Sequence, residues 1–316
     1  MDDFHPHFLT LANRVGAHTP DNLSVSSGID CSSGLAQTGI YENQASKITS
    51  HPKSQFIPDL IPWSDGPVSM SVSYDSVANI YDATRWAGVP PSVMKNILDA
   101  MRDALKDCQN ILDVGTGTGR FAKFFEDAGF TVIGVDVSLT MMAQAREKGV
   151  RNLVQADAHH LPFRDESFDG SLMIHVLHLV EDWVQVIHEA GRVTRNILIS
   201  EAGDAEGYSA RQRYLELRAE MGYPLKRFNE AEFGLRKLIR PRFVISAGDY
   251  WTDVNVDEEI RGFEARRSSV MSYVPEDVHK KIMQRLRAEH GGKILRRHDI
   301  PEVVGWDPTH LREFRA

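Results

Sequence analysis

The chain has few cysteines and no long apolar segment. Cys31 and Cys108 are the only two cysteines in 316 residues, and they lack the paired spacing of a structural zinc site. They also form no disulfide framework, so we expect a reducing, cytoplasmic environment. No stretch approaches the ~20 apolar residues of a membrane-spanning helix, and no leader with a basic start and an apolar core is recognisable. The sequence therefore predicts no metal site and no membrane partner.

The chain also lacks an excess of positive charge. Its 36 Lys and Arg residues are outnumbered by 44 Asp and Glu residues, which gives a formal net charge of -8. Nucleic-acid-binding proteins usually present a clustered basic face, so this balance argues against a nucleic-acid partner. Hydrophobic residues make up 42% of the chain, which is enough for the core of a globular protein.

Residues 1–66 differ in composition from the rest of the chain. Ser, Gly, Asn and Asp are frequent in 19–39, and prolines follow at positions 52, 58, 62 and 67. Such a segment has too few large apolar side chains to offset the entropy that ordering costs. We predict that residues 1–66 are mostly disordered and that residues 67–316 form the folded domain.

Short apolar segments alternate with amphipathic segments from residue 110 onward. This spacing is typical of a parallel sheet covered by helices on both faces. After residue 201 the alternation loosens into mainly helical segments, which we expect to form a lid over the carboxyl ends of the strands. Residues 243–251 are predicted as a strand, and 301–306 as a final edge strand. The earlier strands are predicted at 110–114, 131–135, 152–155, 168–174 and 196–200, and the helices between them at 120–127, 139–147 and 183–193.

A glycine-rich turn directly follows the first predicted strand. The sequence DVGTGTG occupies residues 113–119. Its glycines permit a sharp turn close to a ligand, and the N-terminus of the next helix faces the same point. NAD-binding turns space their glycines as GxGxxG, whereas this one has GxGxG with an acid two positions earlier. This difference favours a zwitterionic amino-acid group over a pyrophosphate.

Acidic residues also follow the next two strands. Asp136 ends the second strand, where a carboxylate can accept hydrogen bonds from both hydroxyls of a ribose; the competing interpretation is a helix N-cap. Asp157 and Ala158 follow the third strand, where a carboxylate can accept the amino group of adenine. Asp169 precedes the fourth strand and is more typical of a structural role.

Together, these segments resemble the type 11 group of class I S-adenosylmethionine-dependent methyltransferases. The resemblance covers about residues 74–200 and is carried by ILDVGTGTG, IGVDVS, ADAHHLPF and SFDGSLMIHVLHLV. It implies a Rossmann-like α/β fold with a seven-stranded sheet, an antiparallel last strand, and a substrate-side insertion at about 201–290. The implied cofactor is S-adenosylmethionine. The implied cofactor-binding residues are Tyr81, Arg85, Asp113, Gly115, Thr116, Gly117, Asp136, Val137, Met141, Asp157, Ala158 and His175. Of these, the resemblance places Val137 and Met141 against the adenine.

Candidate catalytic and substrate residues lie outside the glycine turn. A neutral histidine at the end of the fourth strand can accept a proton from a hydroxyl or an amine, which makes His175 the candidate base; His178 is more typical of packing. Three residues of the insertion are candidates for binding the substrate: Trp251, Arg266 and Tyr273. An arginine there can pair with a carboxylate, although a solvated helix end is the competing interpretation.

The resulting hypothesis is a methyltransferase that acts on an oxygen or nitrogen of a small molecule. One alternative is a protein or RNA methyltransferase, which the acidic balance disfavours. No Asn/Asp-Pro-Pro-Tyr segment of amino-group methyltransferases follows the fourth strand. The other alternative is a regulatory module that binds S-adenosylmethionine without catalysis. A NAD-dependent oxidoreductase is disfavoured by the glycine spacing.

Overall fold

A computed structural model describes residues 74–86, 88–225, 231–265, 269–271 and 273–315. The segment 1–66, predicted to be disordered, lies outside the described residues. The strands are β1 (Asn110–Val114), β2 (Thr131–Asp136), β3 (Leu153–Gln155), β4 (Phe168–Met173), β5 (Thr194–Gly207), β6 (Phe243–Ser246), β7 (Tyr250–Asn255) and β8 (Ile294–Trp306).

Helices connect these strands and extend beyond them. They are α1 (Tyr81–Arg85), α2 (Pro91–Ala104), α3 (Arg120–Asp127), α4 (Leu139–Glu147), α5 (Trp183–Val193), α6 (Ala210–Glu220), α7 (Ala231–Leu238), α8 (Val256–Glu264), α9 (Glu276–His290) and α10 (Pro308–Glu313). Short 3₁₀ helices span Asp75–Ile80, Leu177–Leu179 and Ser269–Met271. None of the helices described is both long and apolar enough to cross a membrane.

The strands form one mixed sheet in the order β3-β2-β1-β4-β5-β8-β6. β1 to β5 are parallel to one another, and β8 runs antiparallel between β5 and β6. This arrangement confirms the predicted α/β class and the antiparallel last strand. Because the carboxyl ends of the parallel strands meet at one edge, the turns that follow β1, β2 and β4 lie next to one another.

The described part of the sheet has eight strands, whereas the sequence predicted seven. β7 is the additional strand, and it pairs with the first half of β8 while β6 pairs with the second half. The single strand predicted at 243–251 is therefore two strands. Gly248 separates them with a φ of 97°, a conformation that interrupts an extended chain and that glycine adopts without steric cost.

The predicted final edge strand is wrong in its position and its length. β8 begins at Ile294, and its second half lies between β5 and β6, with Val303, Val304 and Trp306 fully buried. β5 likewise continues to Gly207, beyond the predicted end at residue 200, because β8 pairs with it along that length. Pairing with a neighbouring strand can thus lengthen a strand beyond its apolar residues, as it does for the exposed end of β5.

Apolar side chains of alternating residues fill both faces of the sheet. Ile111 belongs to one buried cluster and Leu112 to the other, as expected because successive side chains of a strand point to opposite faces. A third cluster lies in the insertion, where Tyr214 of α6, Ile260 of α8 and Ile282 of α9 are buried together. The predicted helical insertion therefore has its own small core. Strands β6 and β7 also lie within the sequence range of the insertion, which is therefore not purely helical.

The packing of Trp306 gives the first testable prediction. Its indole Nε1 donates a hydrogen bond to Ser200 Oγ at 2.6 Å, and both residues are fully buried. Trp306→Phe removes the donor, leaves the hydroxyl without that partner and opens a void. We expect the free energy of unfolding to fall by about 2–4 kcal/mol, measured by urea titration.

Trp251→Phe is the matched control, because Trp251 is 56% exposed. A surface substitution of this kind changes the free energy of unfolding by about 0.5 kcal/mol or less. Equal losses in the two variants would contradict the importance of the Trp306 contact.

Candidate functional site

The turn after β1 depends on the backbone freedom of glycine. Gly115 and Gly117 have φ values of 68° and 55°, which lie in the left-handed region that disfavours other residues. A Cβ atom on Gly115 would lie 2.6 Å from Val176 Cγ2, whereas one on Gly117 would meet only Met141 Cε, at 3.3 Å, and Gly115 O within 4 Å. The backbone at Gly115 is therefore in close contact with Val176, which follows β4, whereas the space beside Gly117 is more open.

Asp113 is a buried carboxylate at the base of this turn. Its Oδ2 accepts a hydrogen bond from Thr116 Oγ1 at 2.7 Å. Burial, helped by the negative charge of Asp136 and opposed by the hydrogen bond from Thr116, raises the pKa of Asp113 to about 7. Near neutral pH, a carboxyl group with this pKa is present in both its protonated and its ionised form.

Asp136 joins the end of β2 to the glycine turn. Its Oδ2 accepts a hydrogen bond from Gly117 N and its Oδ1 one from Ser138 N, each at 2.8 Å. Burial raises the pKa of Asp136, and these hydrogen bonds oppose the shift. Ser138, not Asp136, caps α4 by accepting a hydrogen bond from Met141 N. The alternative interpretation of Asp136 as the N-cap is therefore wrong. A carboxylate has about four acceptor positions, so both of its oxygens retain capacity for a ligand.

His159, which follows β3, is bound to the side chain of Asp157. Asp157 Oδ1 accepts a hydrogen bond from His159 N at 2.9 Å and lies 2.5 Å from His159 Nδ1, and both side chains are buried. His159 therefore fixes the orientation of Asp157, a role that the sequence did not reveal. Ala158 is half-buried beside them.

Two residues that the resemblance places against adenine lie at the start of α4. Met141 is buried and approaches the glycine turn, whereas Val137 is partly exposed. Val137 O accepts a hydrogen bond from Gln155 Nε2, the side chain at the end of β3. The two predicted adenine contacts thus lie beside the ends of β2 and β3.

The segment before α2 packs over the glycine turn. Asp82 of α1 accepts a hydrogen bond from Thr118 Oγ1 at 2.6 Å and pairs with Lys148. Asp75 pairs with Ser138 at the start of α4. Tyr81 contacts the ring of Tyr74 edge to face, with centroids 5.4 Å apart. The side chain of Arg85 lies outside the described part of the chain, so its predicted role stays a prediction.

His175 lies two residues after the end of β4, in a strained conformation next to a carboxylate. Its φ is 60°, which is uncommon for a residue with a side chain and often marks a functional site. His175 Nε2 lies 2.9 Å from Glu201 Oε2, which β5 contributes. The rings of Trp86 and His178 are 5.6 Å and 6.5 Å from the imidazole. His175 therefore lies among aromatic rings with an anion at one nitrogen.

A second carboxylate, from the insertion, holds the turn that contains His175. Glu232 of α7 is 1% exposed, and its Oε1 accepts hydrogen bonds from Val176 N at 2.8 Å and Leu177 N at 3.3 Å. Burial raises the pKa of Glu232, and the neighbouring His175 opposes that shift. The sequence missed both carboxylates. Glu201 does follow the apolar strand β5 directly, but Glu232 lies more than fifty residues from the turn it binds.

The predicted substrate residues lie in the insertion. Trp251 of β7 stacks on His298, with ring centroids 4.6 Å apart and planes 9° apart, and Arg296 lies over its ring. Tyr273 is exposed, with a φ of 61°, and Arg266 lies outside the described residues. Their roles in binding stay predictions. In the part of the chain that is described, no group of three or more His, Cys, Asp or Glu side chains has the arrangement of a metal site.

Sequence and structure comparisons identify relatives of the central segment. The sequence model of a family described as "Methyltransferase domain" matches residues 112–197. An uncharacterized protein of Methanocaldococcus jannaschii is 34% identical over 122 residues, which are 39% of this chain and 56% of that protein. A demethylmenaquinone methyltransferase of Paenarthrobacter aurescens is 31% identical over 140 residues, 41% of this chain and 52% of that enzyme. The chain thus spans about half the length of these curated relatives.

The structural comparison also matches a SAM-dependent methyltransferase from Thermotoga maritima. It is 20% identical, with a TM-score of 0.43 over 74% of this chain and 97% of the other. The matched family segment begins within β1 and ends within β5, so it includes the glycine turn, Asp136, Asp157 and His175. Residues 112–197 of this chain therefore match the methyltransferase domain of the type 11 group of class I, S-adenosylmethionine-dependent methyltransferases.

Proposed function

We propose that this protein transfers a methyl group from S-adenosylmethionine to an oxygen or nitrogen atom of a small-molecule acceptor. The proposal is supported mainly by the position of two groups of residues, which lie at the same edge of the sheet. Asp113 and Asp136 lie beside the glycine turn, and the His175–Glu201 pair lies after the adjacent strand β4. The first group suits the cofactor, and the second suits a proton-bearing acceptor.

The residues at the turn fit the chemistry of the cofactor. The carboxylates of Asp113 and Asp136 are acceptors for the ammonium group and the ribose hydroxyls, and Gly117 presents backbone without a side chain. Asp157, fixed by His159, supplies an acceptor for the adenine amino group. When bound, S-adenosylmethionine supplies a methyl carbon that its sulfonium has already activated, so alignment and exclusion of water are the main tasks of the protein.

The acceptor loses a proton when a hydroxyl or an ammonium group is methylated. We assign His175 as the base that takes this proton, because a neutral imidazole is a competent acceptor near neutral pH. The Glu201 carboxylate at 2.9 Å stabilises the resulting imidazolium. Glu232 orients the imidazole by binding the two backbone amides that follow it. Glu201 and Glu232 are thus positioning residues, and His175 is the catalytic residue.

The surroundings of His175 favour a small acceptor over a macromolecule. Trp86 lies on one side of the imidazole, and α7, through Glu232, binds the turn on the other. A base within a nucleic acid would have to leave its stack to reach such a position, and the net charge of -8 opposes binding to a phosphate backbone. One relative is named for demethylmenaquinone, which also supports a small-molecule acceptor.

Asp136→Asn tests the cofactor site. The substitution keeps one acceptor oxygen and removes the charge that receives the ribose hydroxyls. We expect the Kd for S-adenosylhomocysteine, measured by calorimetry, to rise about tenfold or more, since hydrogen bonds to charged groups are worth ~1.5–3 kcal/mol. Asp127→Asn is the control, because Asp127 is exposed on α3. An unchanged Kd in the Asp136 variant, or heat with NAD alone, would contradict the proposal.

The raised pKa of Asp113 predicts that cofactor binding depends on pH. The ionised carboxyl group binds an ammonium group far more strongly than the protonated one, because it adds an ion pair to the hydrogen bond, and Asp113 has a pKa of about 7 in the free protein. Below pH 7 binding must first remove a proton, so the Kd for S-adenosylhomocysteine should rise by up to about tenfold per pH unit. Above pH 8 the Kd should be constant. Asp113→Asn should remove this dependence, whereas a slope that persists in the variant would assign it to another group.

His175→Ala tests the proposed base. With phenol, amine and carboxylic-acid acceptors screened by release of S-adenosylhomocysteine, we expect kcat to fall by about 10²–10⁴-fold. Because the resemblance also implies His175 in cofactor binding, the Kd for S-adenosylmethionine is measured in parallel, and kcat is compared at saturating cofactor. His178→Ala is the control and should lose much less. A full kcat in the His175 variant would show that the acceptor reacts without this base.

A further inference from the structure

Two buried carboxylates lie beside the proposed base. Glu201 of β5 is 7% exposed, and its Oε2 lies 2.9 Å from His175 Nε2. Glu232 of α7 is 1% exposed, and its carboxylate interacts with the charge of His175 from the insertion. Glutamates are almost never fully buried unless another group compensates for the lost hydration. One carboxylate is enough to stabilise an imidazolium, so the second charge requires another explanation.

Hydrogen bonds compensate for the burial of Glu232 only in part. Its Oε1 accepts hydrogen bonds from Val176 N and Leu177 N, but burial still raises its pKa. The largest opposing effect comes from the charge of protonated His175. The neutral oxygen of an amide would accept the same two hydrogen bonds without the cost of burying a charge. The carboxylate is therefore better explained by a cation that binds beside His175.

Aromatic rings flank the same imidazole. The ring centroids of Trp86 and His178 lie 5.6 Å and 6.5 Å from that of His175. The face of an aromatic ring attracts a cation and repels an anion. Trp86 already contacts one cation, because the guanidinium of Arg120 lies over its ring, 5.2 Å from the centroid. The charge of Asp82 acts on that arginine, whereas the glutamates face the histidine.

The charge that develops on the acceptor depends on the atom that is methylated. A hydroxyl oxygen becomes more negative as it loses its proton, and a carboxylic acid reacts as an anion. An amine reacts as a neutral group and becomes a cation as the new bond forms. Buried carboxylates stabilise a nearby cation and destabilise a nearby anion, and these effects are stronger inside a protein than in water. The two glutamates therefore favour nitrogen over oxygen as the methylated atom.

We infer that the acceptor is an amine, which binds beside His175 as an ammonium ion stabilised by Glu201 and Glu232. This inference rests on the proposed function and narrows its acceptors to nitrogen compounds. His175 takes one proton from the ammonium nitrogen, and the lone pair that remains attacks the methyl carbon. The N–C bond forms as the C–S bond breaks, and the electron pair of the broken bond stays on sulfur. The product is a methylammonium ion, so the positive charge of the sulfonium ends beside the two carboxylates.

Acceptors that share a carbon skeleton test this assignment. The first set is 2-phenylethylamine, 2-phenylethanol and phenylacetate, and the second is butylamine, butanol and butyrate. Tyramine offers an amine and a phenol in one molecule. At saturating S-adenosylmethionine, release of S-adenosylhomocysteine should give a kcat/KM about 100-fold or more higher for an amine than for its alcohol or acid. Mass spectrometry should identify the product of tyramine as the N-methyl compound.

Glu201→Gln and Glu232→Gln test the origin of this preference. Each substitution removes one charge and keeps an oxygen that accepts hydrogen bonds. The ratio of N-methylation to O-methylation of tyramine should fall about tenfold or more in each variant, whereas a purely structural role would lower both reactions equally. Glu258→Gln is the matched control, because Glu258 is an exposed glutamate of the same insertion. It should leave the ratio within twofold, and thermal melting should show that every variant is folded.

Three results would overturn the inference, and they are distinguishable. If the unaltered protein methylates phenols, alcohols or acids better than amines, the proposed function stands and the amine assignment is wrong. An unchanged ratio in both glutamate variants would show that the carboxylates do not select the acceptor. If protein that binds S-adenosylhomocysteine methylates none of these acceptors, the proposed function itself fails, and the inference fails with it.

Discussion

The geometry of the site depends on the hydrogen bond from Gly117 N to the carboxylate of Asp136. It joins the turn after β1 to the end of β2, two segments that are adjacent because the strands are parallel neighbours. The bond requires Gly117 in a left-handed conformation, which orients its amide towards the acid. It therefore sets the distance between the amino-acid and ribose parts of the proposed cofactor site. Because Ser138 caps α4, the carboxylate of Asp136 is available to accept the hydrogen bond from Gly117 N.

A second long-range contact connects the insertion to the acceptor site. Glu232 of α7 binds the amides of Val176 and Leu177, and these residues follow His175 directly. The strained φ of His175 persists because the surrounding structure determines it from both sides: Glu201 contacts the ring, and Glu232 holds the following backbone. Movement of the insertion would therefore be transmitted to the orientation of the imidazole. This coupling gives the insertion a direct physical connection to the proposed base.

Ionisable groups of both signs lie partly or fully removed from water beside the glycine turn. Asp113 and Asp136 lie at the turn, and burial raises the pKa of each because the charged form loses hydration. Arg120 lies at the end of the same turn, and burial lowers its pKa for the same reason. Each group is thus less stable in its charged form without a counter-charge.

The sequence by itself determined the local features of this protein. Helix α3 and strand β1 have the predicted bounds, and the glycine turn and the acid at the end of β2 lie where the pattern placed them, because periodicity and turn chemistry act within a few residues. Only the tertiary structure decided the central position of β8, the continuation of β5 to Gly207, and the carboxylates around His175. These features depend on pairing and burial between segments separated by tens to more than a hundred residues. No local pattern records such contacts, since they form only when the chain is compact.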